Sequence, residues 1–443
     1  MEIAEADLIV EGRFVLADKM ERVIHHGSVV VKDGKIVDVG ESSDVAERWQ
    51  AREVLSRPDG IVSPGFVNTH NHAPMVFFRG MADDLPLDTW LKRHIWPAES
   101  TWLSPEFVRD ATALAVVEMI RSGTVLYNDM YFYLEEGVPV LEQTGMNAVL
   151  GMGVFDFPSK MGDGPRDYLQ RAERMAERFQ GHPHIKVAIC PHATYTCSPE
   201  TLSMASELAK KRDLLLHTHA CENTWEVEEV RSRYGKPPIE LLEERGVLEG
   251  PTILAHVVKP SEREIEILVE RGTGVSLCTQ SNLKLGNGIA PVGEMSRKGV
   301  LLSIGTDGAA SNNNLDMLEE LSTVTLVHKG ISGDPALLPA KDVLKMATCN
   351  GARALLFEDT GSLEVGKRAD VVVFDASAPH LTPIYDPLSH LVYAANGGDV
   401  SDVILDGKVV MRERRIECLD EEGVLEKARW WEGRIMEWTH GRI

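Results

Sequence analysis

The sequence lacks the features that would place the chain in a membrane or outside the cell. No apolar run approaches the roughly 18 residues that a membrane-spanning helix needs. Met1 is followed by the acidic residues Glu2, Glu5 and Asp7, so neither the basic segment nor the apolar core of a secretory signal is present. The six cysteines are scattered without a C-x-x-C pair, which argues against a zinc knuckle or a redox motif. We therefore expect a cytoplasmic protein whose cysteines are mostly buried thiols.

Positive charge is also scarce. The chain has 46 Lys and Arg residues against 68 Asp and Glu residues, which gives a formal net charge of -22. Nucleic acids and anionic membranes bind clustered Lys and Arg, so neither is an expected partner. With 443 residues, 43% of them hydrophobic and 26% charged, the composition is that of an ordinary globular protein with room for more than one domain.

The order of apolar runs and turns predicts an α/β fold. From residue 60 onward, apolar strands alternate with amphipathic helices, as in a parallel sheet covered by helices. No G-x-G-x-x-G motif follows the first of these strands, so eight repeats favour a (β/α)8 TIM barrel over an open doubly wound sheet. The predicted strands end near His72, Asp129, Phe155, His192, Glu222, His256, Asn282 and Asp307.

The two ends of the chain look different from this central part. Short alternating runs at 7–10, 28–32 and 36–39 predict hairpin strands, as do the runs at 369–375 and 400–410, and 421–438 predicts a helix. Because chain ends tend to lie close together, residues 1–59 and 361–443 are expected to complete a small β-sandwich domain that carries the terminal helix. Residues 60–360 would then form the barrel.

Polar side chains recur at the carboxyl ends of the predicted strands, where barrel enzymes build their active sites. His70 and His72 are two residues apart on one strand and therefore share a face. Three imidazoles and one carboxylate suit a divalent ion of the zinc class, and we predict the ligands His70, His72, His219 and Asp307. The alternatives are a core histidine at each position and a turn or helix-cap role for Asp307.

The segment 217–222 contains two histidines, and either of them could be the metal ligand. We prefer His219, since Glu222 then lies three residues further on and can serve the reacting water without binding the ion. His217 is interpreted as structural.

These residues resemble the motifs of the amidohydrolase superfamily. The matching positions are Pro64-Gly65-Phe66-Val67-Asn68-Thr69-His70-Asn71-His72, His219-x-x-Glu222, His256 and Gly305-Thr306-Asp307-Gly308. The stretches 73–75, 79–80, 281–292 and 307–313 are similar to its 5'-methylthioadenosine/S-adenosylhomocysteine deaminase branch.

The resemblance implies a hydrolytic deaminase of adenine nucleosides with one divalent metal ion per chain, Zn²⁺ first and Fe²⁺ or Mn²⁺ as alternatives. One ion is expected because His192 stands where two-metal relatives carry a bridging lysine. A metal-bound hydroxide would attack C6 of adenine, and Glu222 would carry a proton to N1. Asp307 would pass a second proton to the departing amine, and His256 would orient the hydroxide. A small nucleoside substrate and a homo-oligomeric state are expected as well.

By the same resemblance, the expected substrate contacts are Trp90, Glu99, Met152, His192, Glu222 and Ser311. Met152 occupies the position of an arginine in relatives that accept S-adenosylhomocysteine. A thioether cannot pair with a carboxylate, which predicts a preference for 5'-methylthioadenosine or adenosine. Arg166, on the following loop, is the alternative cation. Residues 277–282 depart from the His-x-Pro that many relatives carry before Ser-Asn.

Two other functions compete with this interpretation. A hydrolase of another amino- or halo-substituted ring, such as a guanine-like, pterin or triazine ring, would use the same metal ligands. A catalytically dead barrel kept for binding is disfavoured, because every expected ligand and proton-transfer residue is present. A zinc deaminase of the cytidine type is disfavoured because its H-x-E and P-C-x-x-C motifs are absent.

Overall fold

The computed structural model describes residues 3–440, with the side chain of residue 440 left out. Met1 and Glu2, which entered the argument against a secretory signal, lie outside the described residues, as do residues 441–443. Among the described residues, no helix combines the length and apolar composition that crossing a bilayer requires. Four of the six cysteines are buried, and none forms a disulfide.

The chain begins with four long strands and one short helix. They are β1 Ala4–Ala17, β2 Arg22–Lys32, β3 Lys35–Glu41, α1 Ser42–Arg48 and β4 Trp49–Pro64. β1 pairs with β2 in antiparallel fashion and with β4 in parallel fashion. The sequence predicted the runs inside β1, β2 and β3, but it missed most of β4.

The next eight strands form a parallel barrel and confirm the predicted fold class. They are β5 Phe66–Asn71, β6 Thr124–Tyr131, β7 Asn147–Val154, β8 Ile185–Pro191, β9 Leu215–Ala220, β10 Thr252–His256, β11 Gly274–Leu277 and β12 Leu301–Ile304, hydrogen-bonded in that order. The first and last strands of this order, β5 and β12, also contact each other. Thr69 Oγ1 donates to the Ile304 carbonyl (3.0 Å), and the Asp307 N–H donates to the His70 carbonyl (3.0 Å).

Helices cover the outside of the barrel and connect its strands. They are α2 Leu87–Thr89, α3 Trp96–Trp102, α4 Pro105–Arg121, α5 Val138–Thr144, α6 Pro165–Arg178, α7 Pro199–Arg212, α8 Thr224–Tyr234, α9 Pro238–Glu244, α10 Glu262–Arg271, α11 Thr279–Lys284, α12 Val292–Lys298, α13 Met317–Ser332, α14 Ala340–Met346 and α15 Cys349–Ala354. A π-helical segment, Trp90–Ile95, joins α2 to α3. The Ser261 and Glu264 side chains form a reciprocal capping box at the start of α10.

The remaining strands return to the sheet at the start of the chain. β13 Val371–Phe374 precedes α16 Pro387–Tyr393, and β14 Val400–Leu405, β15 Lys408–Arg412 and β16 Arg415–Ile416 follow before the terminal helix α17 Glu421–His440. The mixed sheet has the order β16-β15-β14-β13-β4-β1-β2-β3, so both chain ends build it, as predicted. Helix α17 packs on the barrel, where Trp431 Nε1 donates to Asp110 Oδ2 of α4 (3.1 Å).

Two strand boundaries differ from the sequence analysis. Ile61 and Val62 belong to β4 in the mixed sheet, whereas Phe66 and Val67 begin β5 in the barrel, so the predicted single strand is two. The switch falls at Gly65, where an added Cβ would lie 2.1 Å from Val125 Cγ1, and only glycine allows that approach. The seventh barrel strand ends at Leu277 rather than near Asn282, because residues 279–284 form α11. The division into domains at 1–59, 60–360 and 361–443 stays a proposal, with Gly65 as the point where the chain leaves the mixed sheet.

Candidate active site and metal centre

Three histidines meet at the carboxyl end of the barrel. His70 is the fifth residue of β5, His72 follows that strand directly, and His219 is the fifth residue of β9. One ring nitrogen from each lies within 4.8 Å of the others, close enough for all three to reach one ion. The structure thus brings together the three imidazoles that were predicted from the sequence.

Two of these rings are fixed by backbone carbonyls. Nδ1 of His72 lies 2.6 Å from the Met130 carbonyl oxygen, and Nδ1 of His219 lies 2.6 Å from the His192 carbonyl oxygen. A carbonyl only accepts, so each Nδ1 carries the proton, and Nε2 of each ring keeps its lone pair in the neutral form. A carbonyl behind the imidazole is the usual support of a metal-binding histidine.

Asp307 completes the group from the turn after β12. Its Oδ1 lies 3.3 Å from Nε2 of His70 and 3.3 Å from Nε2 of His72, and its Oδ2 accepts hydrogen bonds from Ser281 and Ser311. Burial acts to raise the pKa of Asp307, but His70 and His72 outweigh it and hold the pKa well below the usual range. Asp307 is therefore a carboxylate whose Oδ1 faces the imidazoles.

The environment of His70 Nε2 shows whether this group of side chains fits a divalent metal ion. Its Nε2 is buried and has no well-formed hydrogen bond within residues 3–440. Burial lowers the pKa of His70 to about 4, so the ring is neutral at pH 7 and its contact with Asp307 is not an ion pair. Buried polar atoms rarely stay unsatisfied, and a divalent ion between the imidazoles and Asp307 would satisfy this one. The donor set fits such an ion.

Glu222 stands beside this group, just past the end of β9. Its Oε1 accepts a hydrogen bond from Asn287 Nδ2 (3.0 Å), and its N–H donates to Glu226 Oε2 (2.7 Å). Burial, followed by the charge of Asp307, raises the pKa of Glu222 to about 8. His256 Nε2 lies 3.9 Å from Glu222 Oε1, while its Nδ1 bonds Asn282 Oδ1 (3.0 Å). Glu222 can therefore take part in proton transfer near neutral pH, whereas burial lowers the pKa of His256, so its neutral ring keeps a lone pair on Nε2.

A cavity of about 680 Å³, counted with its open mouth, lies next to this group of side chains. The predicted residues Trp90, Glu99 and His192 lie in its wall, together with His72, His219, Glu222, His256 and Asp307. Burial raises the pKa of Glu99 to about 7. Their contacts with a substrate remain predictions.

Comparison with known proteins places this geometry in a family. A family model described as "Amidohydrolase family" matches residues 61–410. The chain belongs to the amidohydrolase family. This confirms the resemblance inferred from the sequence motifs.

Relatives of this amidohydrolase cover nearly its whole length. It is 46% identical to the 5-methylthioadenosine/S-adenosylhomocysteine deaminase of Thermodesulfovibrio yellowstonii, over 96% of this chain and 98% of the relative. It is 45% identical to the 5'-deoxyadenosine deaminase of Methanosarcina acetivorans, over 96% and 97% of the two chains. The crystal structure of an adenosine deaminase from Xanthomonas campestris with bound zinc matches with a TM-score of 0.96 and 38% identity, over 98% of this chain and 100% of that one.

Two predicted substrate contacts do not lie in the cavity of this amidohydrolase. Met152 is 1% exposed, and its neighbour Gly153 is the β7 residue that lines the cavity. Successive side chains of a strand point to opposite faces, so Met152 faces the helices outside the barrel, which argues against the predicted contact between Met152 and the substrate. Ser311 donates to Asp307 Oδ2 (2.8 Å) and thus orients Asp307 instead of lining the cavity. Arg166, in the first turn of α6, is not part of the lining either.

Three further residues support the site, of which the sequence analysis interpreted His217 as structural and missed Asn287 and Glu226. His217 Nε2 lies 2.9 Å from His70 Nδ1, and its own Nδ1 lies 3.0 Å from Asn128 Nδ2, so this histidine orients a predicted ligand. Asn287 and Glu226 hold Glu222 by its side chain and its backbone. The H-x-H spacing was a signal for His217. Asn287 lies in the 281–292 stretch that resembles the deaminase branch, but no sequence pattern connected it with Glu222, which is 65 residues away along the chain.

Proposed function

We propose that this amidohydrolase is a metal-dependent hydrolytic deaminase of adenine nucleosides. It would convert 5'-methylthioadenosine, and adenosine or S-adenosylhomocysteine as further substrates, to the inosine analogue and ammonia. The observation that carries the proposal is the placement of a buried acid, Glu222, beside three converging imidazoles and Asp307 next to one cavity. The names of the deaminase relatives support the choice of substrate class.

The proposed ligands of the ion are His70, His72, His219 and Asp307, with one ion per chain and Zn²⁺ first. The zinc in the similar adenosine deaminase structure supports this choice. A divalent ion held there would lower the pKa of a bound water to about 7 and so supply a nucleophile at neutral pH.

Glu222 is the proposed proton carrier. Asn287 occupies its Oε1, which leaves Oε2 as the oxygen that can exchange a proton with water and with ring nitrogen N1. A pKa of about 8 lets the carboxyl group both accept and donate near neutral pH. His256, with Nδ1 held by Asn282, can orient the attacking water through Nε2, and Asp307 can pass the second proton to the departing amine.

The rest of the cavity wall is proposed to bind the nucleoside. Trp90 would pack against it, and Glu99 would accept hydrogen bonds from ribose hydroxyls. His192 would face the purine with Nε2, because its Nδ1 lies 2.9 Å from Thr196 Oγ1.

A substrate screen with the zinc-loaded protein tests the proposal. Ammonia release is followed for adenosine, 5'-methylthioadenosine, S-adenosylhomocysteine, guanine and a pterin, with loss of adenine absorbance as a second readout for the three nucleosides, and chloride release is followed for a chlorotriazine. Turnover of the adenine nucleosides is expected, and the Glu222→Gln variant serves as the inactive control. Turnover confined to another ring would make the chain a different hydrolase, and binding without any turnover would make it a binding protein.

A further inference from the structure

A second chamber opens beside the candidate active site. The two chambers share Trp96, Glu99, Phe132 and Phe155 in their walls, so they are direct neighbours with these residues at their boundary. The second chamber has a volume of about 1150 Å³, counted with its open mouth, and is the larger of the two. Under the proposed function, Glu99 at the boundary binds the ribose, which directs the 5' substituent into this chamber.

The boundary between the chambers is aromatic, and under the proposed function it is the passage that a 5' substituent would take. The rings of Phe132 and Phe155 are stacked with centroids 5.6 Å apart, and Phe157 approaches Phe155 at 5.0 Å and Trp96 at 5.9 Å. Such surfaces suit a thioether sulfur and methylene groups, because sulfur makes favourable contacts with aromatic rings. The passage therefore fits the part of a 5' substituent that all thioether nucleosides share.

One cation stands in the wall of the second chamber. Lys160 is the single Lys or Arg among its lining residues. Its Nζ donates to the carbonyls of Thr101 (3.0 Å) and Leu103 (2.9 Å) at the end of α3. An ammonium group has three donors, so one remains for a ligand. No carboxylate within residues 3–440 forms an ion pair with Lys160.

The loop that carries Lys160 is held in place. The buried ring of Tyr168 directs its hydroxyl to the Phe157 carbonyl (2.8 Å) and Ser159 Oγ (2.9 Å), and Tyr133 donates to the Lys160 carbonyl (3.2 Å). A cation fixed in this way loses little conformational freedom when it binds an anion.

We propose that Lys160 is a specificity-determining residue that binds the carboxylate of an amino-acid 5' substituent, as in S-adenosylhomocysteine. The proposal rests on the proposed function and replaces the argument from Met152, whose side chain faces away from the cavity. It predicts that the wild type turns over S-adenosylhomocysteine as well as 5'-methylthioadenosine.

The test compares kcat/KM for three substrates. They are S-adenosylhomocysteine, 5'-methylthioadenosine and the decarboxylated analogue of S-adenosylhomocysteine, which keeps the thioether and the ammonium group. Lys160→Met should lower the ratio of kcat/KM for S-adenosylhomocysteine over each of the others about tenfold, the effect of losing one partly exposed charged hydrogen bond. Lys160→Arg keeps the charge and should keep most of that ratio.

Lys186→Met is the matched control. Lys186 also donates to a backbone carbonyl, that of Leu356, but it lies near the start of β8, away from the chamber. This variant should leave all three kcat/KM values unchanged. Equilibrium binding of S-adenosylhomocysteine to Glu222→Gln, with and without Lys160→Met, gives a second measurement without turnover, and about tenfold weaker binding is expected.

Several outcomes overturn the role of Lys160. One is a wild type that turns over 5'-methylthioadenosine but not S-adenosylhomocysteine. Another is an equal loss for S-adenosylhomocysteine and its decarboxylated analogue in Lys160→Met, or no loss in binding. If the wild type deaminates no adenine nucleoside at all, the proposed function fails, and the binding measurement still decides whether Lys160 recognises the carboxylate.

Discussion

Replacing Glu222 by glutamine separates proton transfer from every other property of the site. Glutamine keeps an oxygen that can accept the hydrogen bond from Asn287, and the amide nitrogen then takes the place of Oε2, the oxygen proposed to exchange the proton. Because burial raises the pKa of Glu222 to about 8, most of the carboxyl groups are neutral at pH 7 and a minority are ionised, so the neutral amide should change the free energy of unfolding little. The bond from the Glu222 N–H to Glu226 is unaffected.

The Glu222→Gln variant is expected to lose catalytic rate. Removal of a general acid-base group typically costs about 10²- to 10⁴-fold, which corresponds to about 2.7 to 5.5 kcal/mol in the activation free energy. Ammonia release measures kcat, elemental analysis measures the bound metal, and urea unfolding measures stability. The metal content and stability should stay at their wild-type values.

Glu226→Gln is the control for this variant. Glu226 is also a buried acid, with its pKa raised to about 7 by burial, but it does not line the cavity. Its amide can still accept one of the two hydrogen bonds from Glu222 and Thr194, so a smaller loss of rate is expected. A Glu222→Gln variant that turned over near the wild-type rate, or one that lost its metal, would refute the proton-carrier role.

The other predictions concern the metal, the outer face of β7 and pH. Wild-type protein should hold one divalent ion per chain by elemental analysis, and His219→Ala combined with Asp307→Ala should hold none; two ions in active protein would contradict the ligand set. Met152→Arg should destabilise the protein by about 3 to 5 kcal/mol in urea unfolding, because it buries an unpaired charge. Its kcat/KM for S-adenosylhomocysteine should not rise. A stable variant with a higher kcat/KM for S-adenosylhomocysteine would show that residue 152 does contact the substrate. Burial raises the pKa of Asp129 from 3.8 to about 8. Its contribution to stability is therefore greatest below pH 3.8 and is lost as pH rises to about 8, so the wild type should weaken relative to Asp129→Asn between pH 5 and pH 8. Equal urea midpoint shifts at both pH values would contradict this.

Strand order and most strand positions could be predicted, because the barrel strands are short apolar runs separated by helices. The proposed metal ligands could be identified for the same reason, since His70, His219 and Asp307 fall where such runs end. The failure at residues 61–67 has a physical cause. Two buried strands that belong to different sheets meet at Gly65, and a single apolar pattern does not show at which residue the chain changes sheets.

The face that a strand residue presents was harder to predict than the strand itself. Met152 and Gly153 are neighbours in β7. An error of one residue in the alignment therefore assigns a side chain to the cavity when it lies in the core between the barrel and its helices. A strand buried on both faces has no alternation of polar and apolar residues to mark the inner one. The supports of Glu222 were hidden for another reason, because Asn287 reaches it from a loop whose position depends on α11.

The backbone at the strand ends of the site shows a further constraint that no local sequence pattern reveals. Cys221, His256, Val257 and Asp307 have φ angles of 52°, 74°, 46° and 63°, although none is glycine. Left-handed conformations cost such residues about 1 to 3 kcal/mol each and persist only where surrounding bonds fix them. Here the Val257 N–H donates to the Ala220 carbonyl (3.1 Å) and the Asp307 N–H to the His70 carbonyl (3.0 Å), so each turn is tied to a neighbouring strand. The positions of His256 and Asp307 therefore depend on β9 and β5 as much as on their own strands, and the site forms only when the barrel has closed.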